Sequence, residues 1–150
     1  MNEQLIRTPA VAAAATGPGR RRTRWVGAVT TAVAVAGVVW AVVKPPNIDA
    51  TQLQTLPYVA AVAVIVGALL FGWLVPARLA AGDTGLPLAI LAVPMVLAFW
   101  SGLPILFAGA AILLASAHRT ARGSSPGRAL AAIILATLTT AAAVTAILIF

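Results

Sequence analysis

Read for its pattern of apolar and polar positions, the chain falls into long uncharged runs separated by short polar or basic interruptions. An apolar run of about 18 residues or more is long enough to cross a bilayer as a helix. The first is Trp25–Val43, stopped by Lys44, Pro45 and Pro46. The second is Leu56–Val75, with Pro57 in its first turn, where proline is tolerated, and Pro76 just past its end. Residues 1–24 are small and polar and end in Arg20, Arg21, Arg22 and Arg24; they read as a disordered basic cytoplasmic tail. Residues 25–150 form the transmembrane helical domain. The first apolar core is too long for a secretory signal, and no small-x-small cleavage site follows it cleanly.

Residues 86–117 form a single apolar run of 32. As one helix it would be about 48 Å long, against a hydrocarbon core of about 30 Å. Its centre reads Trp100-Ser101-Gly102-Leu103-Pro104, which is a serine N-cap candidate, a glycine and a proline at a first-turn position. The triplet Gly85-Leu86-Pro87 recurs as Gly102-Leu103-Pro104, each copy opening an apolar segment. Two short helices joined by a tight turn are therefore expected, 84–100 and 102–117, the first kinked near its middle by Pro94. A hairpin that dips into the membrane and returns is the competing arrangement. The last span is expected over 129–150.

Charge selects the same arrangement. With five spans the cytoplasmic segments hold Arg7, Arg20, Arg21, Arg22, Arg24, Arg78, Arg119, Arg122 and Arg128, and only Lys44 lies outside. With four spans Arg119, Arg122 and Arg128 move outside, and the split falls from nine against one to six against four. Basic residues in short loops favour the cytoplasm, so five spans are expected, with the N-terminus inside and the C-terminus outside. In that arrangement Trp25, Trp40, Tyr58, Trp73 and Trp100 all fall near span ends, where amphipathic rings settle at the headgroups.

Composition agrees with a membrane protein: 61% of the 150 residues are hydrophobic and only 9% charged, against about 25% in soluble domains. The net charge of +7 is spread between the apolar runs, so it reads as a topology signal rather than a nucleic-acid surface. There is no cysteine, which excludes disulfides and thiol chemistry.

Candidate chemistry is sparse. The acids are Glu3, Asp49 and Asp83 and the single histidine is His118, all outside the spans and without metal-ligand spacing. Asp83, just before Thr84, is expected to cap the third helix, and His118 to sit at a helix C-terminus favoured by the dipole. No ionisable side chain lies within a span, which argues against a proton-driven carrier. The polar side chains at mid-depth are a few threonines, such as Thr137, Thr139 and Thr140, and each can bond back to its own helix. Small-residue rows suited to helix packing are Ala28, Ala32 and Ala36 in the first span, Ala68 and Gly72 in the second, and Ala132, Ala136 and Thr140 in the fifth. Arg119, Arg122 and Arg128 are candidates for anionic lipid headgroups, with topology alone as the simpler explanation.

From Leu86 onward, the helical hairpin, the basic loop and the sequence Gly127-Arg128-Ala129-Leu130-Ala131 resemble a module of small multi-pass bacterial membrane proteins. Those open their last helix with a Gly-Arg-Gly-Leu-Ala-like sequence; here Ala129 replaces the second glycine. The resemblance implies a bacterial membrane protein without an assigned biochemical activity. The expectation is an all-α, polytopic protein of the bacterial inner membrane with neither catalytic site nor cofactor, a structural or accessory subunit packing against another membrane protein or itself. A small oligomeric transporter or channel is the alternative.

Overall fold

The computed structural model describes residues 18–43, 50–120 and 126–149. Among them the chain is helical without strands. Helix α1 spans Pro18–Val43 and α2 spans Ala50–Leu69. A π-helical turn, Leu70–Leu74, leads into α3, Val75–Ala80. After a short turn come α4 (Leu86–Met95), a 3₁₀ segment (Val96–Ser101), α5 (Leu103–Thr120) and α6 (Pro126–Ile149). Four helical stretches are long and apolar enough to cross a membrane: Arg21–Val43, Leu53–Ala80, Leu103–Thr120 and Gly127–Ile149. Leu86–Ser101 is a shorter apolar helix.

The break anticipated inside the apolar run of 86–117 stands where the residues place it. Gly102 adopts a left-handed conformation, φ 71°. The Ser101 hydroxyl accepts the Leu103 N–H at 3.3 Å while donating to the Ala98 carbonyl at 2.6 Å. The first copy of the triplet is built the same way: Gly85 has φ 76°, and the Thr84 hydroxyl accepts the Leu86 N–H at 3.4 Å. In both copies the glycine carbonyl then takes the first intrahelical bond, from Ala89 and from Leu106. A hydroxyl, a left-handed glycine and Leu-Pro thus form one local device, used twice, that reverses the chain and starts a helix.

Four expectations are corrected. Helix α1 begins at Pro18, so Arg21, Arg22 and Arg24 belong to the helix rather than to a preceding tail. Arginine is a good helix former and proline suits a first position, so the helix continues past its apolar core. Helix α2 begins at Ala50, which places Pro57 inside it, and the helical path does not stop at Pro76. There the Val75 N–H reaches back five residues to the Leu70 carbonyl. That wider turn lies under the Pro76 ring, which in a regular helix would clash with the carbonyl of Gly72. Pro94 lies in the last turn of α4 rather than at the middle of a longer α-helix: after Met95 the path tightens into the 3₁₀ segment, and Ala98 leaves helical geometry at φ −108°, ψ 40°. Asp83 does not cap α4 directly. Its Oδ1 accepts the Gly85 N–H at 3.1 Å, one step earlier, and its Oδ2 pairs with Arg78 at 2.7 Å.

The core gathers around α5, where Leu106 and Leu114 are fully buried. Glycine at three contacts lets helices meet backbone to side chain. Gly27 of α1 faces Phe71, Gly67 of α2 faces Thr31, and Gly109 of α5 faces Thr30. A Cβ on Gly109 would stand 2.6 Å from Thr30 Cγ2, inside van der Waals contact. Further along α1, the side chains of Ile105 and Ile147 converge on Gly37.

Candidate functional site: the basic end and the groove between the first two helices

The contacts bring the ends of the helices together in a definite order. Gly85, at the start of α4, packs on the Ala111 carbonyl and Leu114 of α5. His118, in the last turn of α5, meets the Gly82 carbonyl at 3.0 Å. Because a carbonyl only accepts, Nδ1 carries the proton in this contact, and Nε2 is buried with no hydrogen-bond partner. Asp83, Thr84 and Ile90 share a crevice of about 600 Å³ with Arg128 at the start of α6. With Gly27 against Phe71, the start of α1 joins the same end. Among the described side chains, the basic ones (Arg21, Arg22, Arg24, Arg78, Arg119 and Arg128) therefore all stand at one end of the bundle.

Aromatic rings mark both ends. Trp25 and Trp73 sit at the arginine end and are 64% and 72% exposed. Trp40 and Tyr58 are exposed at the other. Trp100 lies with them, sharing a pocket with Val38 of α1 and Val59 of α2. This two-belt arrangement suits side chains that are apolar on the ring and polar at one atom.

The expected packing rows separate into two kinds. On α6, Ala132 and Ala136 are fully buried and Thr140 half-buried, so this row is used within the bundle. Ala28, Ala32 and Ala36 of α1, Ala68 of α2 and Gly72 of the π-helical turn that follows it are exposed instead. Both outward rows line one open groove of about 780 Å³ between the two helices, with Arg24 at its arginine end. The residues that bring α1 and α2 into contact are their neighbours, Gly27, Thr31 and Gly67. One step along a helix turns a side chain by about 100°, which is how adjacent positions come to face the partner and the groove. The sequence signal for the close crossing was glycine itself, at Gly27 and Gly67; rows of alanine in a chain so rich in alanine obscured it.

Of the lipid-headgroup candidates, Arg119 and Arg128 are exposed at the basic end, and Arg122 lies outside the described residues. Glu3, Asp49, Lys44 and residues 1–17 also lie outside them. The mid-depth threonines behave as expected. Thr137, Thr139 and Thr140 donate to the carbonyls of Ile133, Leu135 and Ala136 at 2.8, 2.8 and 2.9 Å. Their donors are used within their own helix. Comparison with protein-family models, curated proteins and solved structures finds no match.

Proposed function

We propose that the protein is a non-catalytic integral membrane protein of the bacterial inner membrane, a structural or accessory subunit that packs against another membrane protein. Five crossings are proposed, with the arginine end cytoplasmic. The clustering of the described basic side chains at one end supports that orientation, since cytoplasmic loops carry the excess of Lys and Arg. Trp100, just before the α4–α5 turn, shares a pocket with Val42 of α1 and Thr55 of α2 at the end away from the arginines, which supports full crossing by the hairpin. Arg128 to Ile147 is a rise of about 28 Å along α6, close to the hydrocarbon thickness. On this reading the hairpin, basic loop and last helix correspond to the bacterial module that the sequence resembles.

The observation that carries the accessory reading is the outward seam of α2. Tyr58, Val62, Ile65 and Leu69 are all exposed, and they recur at spacings of four, three and four residues. That is the periodicity with which one helix meets another along its length. The partner proposed is a transmembrane helix of another protein laid on this seam. Single cysteines test it, since the native chain has none. Ile65→Cys in native membranes is expected to cross-link to one polypeptide, while Val144→Cys on the outer face of α6 gives none. Equal, diffuse cross-linking from both positions would contradict the reading.

A further inference from the structure

The groove between α1 and α2 is distinct from the α2 seam. On this helix path it is lined by Val64, Ala68 and Gly72, a row centred about a quarter of a turn around from the row of Tyr58, Val62, Ile65 and Leu69. Its depth in the bilayer follows from the aromatic rings. Gly27 against Phe71 sets Trp25 and Trp73 at a common level, and both rings are exposed there. Exposed tryptophans settle at the headgroups. Arg24, one residue from Trp25, therefore stands at phosphate level at the mouth of the groove.

From that mouth the groove runs to Ala36. Twelve residues rise about 18 Å, against about 15 Å for half the hydrocarbon core. The groove is one leaflet deep. A transmembrane helix crosses both leaflets and would not match a trough that ends near the midplane, whereas an acyl chain hanging from a headgroup does.

Charge defines the headgroup. Among the described residues the one carboxylate is Asp83, already held by Arg78 at 2.7 Å. Arg21 and Arg22 stand close to Arg24 on α1. A second copy in the groove, in the same orientation, would bring its own arginines to this mouth and be repelled. We propose that the α1–α2 groove binds one anionic phospholipid of the arginine-side leaflet, its phosphate on Arg24 and one acyl chain along Ala32 and Ala68. This is separate from Arg119 and Arg128, which lie at the ends of α5 and α6.

Tryptophan quenching reads this site. In a Trp40→Phe, Trp100→Phe background, Trp25 and Trp73 report on lipid at the mouth. The protein is reconstituted in phosphatidylcholine vesicles carrying a small fraction of bromine-labelled phosphatidylglycerol or bromine-labelled phosphatidylcholine. The phosphatidylglycerol is expected to associate about fivefold more strongly, the ratio that about 1 kcal/mol per basic residue corresponds to. Arg24→Gln brings the ratio to near one, and Ala32→Leu with Ala68→Leu lowers quenching by the anionic lipid by filling the groove. Arg119→Gln leaves the ratio in place. All four substitutions are at exposed positions, and unaltered helical circular dichroism identifies folded variants. Equal association of the two lipids would overturn the proposal, as would a preference that survives Arg24→Gln or that disappears with Arg119→Gln. A disulfide-linked dimer formed efficiently by Ala32→Cys would also overturn it, in favour of a second copy.

Discussion

Gly85 lies against the backbone carbonyl of Ala111, so the start of α4 touches α5 with no side chain between them. The contact joins two constraints at one residue, because Gly85 also holds φ at 76°. Gly82 shares the constraint of conformation, φ 71°, but nothing would meet a Cβ there within 4 Å. Gly82→Ala is therefore expected to lose only the left-handed penalty, about 1–2 kcal/mol. Gly85→Ala adds a clash with backbone and is expected to lower thermal stability in detergent markedly more. Equal effects of the two substitutions would separate this contact from stability.

Ser101 makes the corresponding prediction for the second copy of the device. Its hydroxyl both donates to Ala98 and accepts from Leu103, and the residue is 7% exposed. Ser101→Ala leaves the Ala98 carbonyl without that bond where the helix has already broken, and is expected to destabilise by about 1–3 kcal/mol. Thr84→Ala removes one longer bond, at 3.4 Å, and is expected to have a smaller effect. Denaturation midpoints of the two purified variants compare them directly.

The division of the small-residue rows is also testable. Ala132 and Ala136 have no exposed surface, so leucine at either position overpacks the interior and is expected to destabilise by about 1–3 kcal/mol. Ala28→Leu, on the outward row, is expected to leave the folded yield and melting temperature nearly unchanged. Melting curves of the variants in one detergent measure the contrast.

What the sequence made legible depended on whether a residue acts locally. Ser101, Gly102 and Pro104 act on their own few residues of backbone, so the break between α4 and α5 could be placed to the residue. The threonines of α6 bond within their own turn and were equally readable. Pro76 was misread because proline ends a helix only when the preceding turn stays regular; the π turn at Leu70–Leu74 lies in the way of that rule. The start of α1 was missed because its arginines are polar, and polarity marks the edge of a membrane core rather than the end of a helix. The groove was half legible. Its alanines were visible as rows, but that the rows of α1 and α2 share one trough depends on how Gly27 and Gly67 set the crossing.

The orientation of the bundle is the claim on which the account turns, and cysteine accessibility measures it most directly. Ser101 is a poor probe, being buried, whereas Thr120 and Ile149 are exposed. With five crossings and a cytoplasmic arginine end, a membrane-impermeant maleimide reaches Ile149→Cys in intact cells. Thr120→Cys then labels only after the membrane is opened. With four crossings, and 86–117 passing once, the two results exchange. Labelling of Thr120→Cys from outside with Ile149→Cys protected would contradict the five-span account.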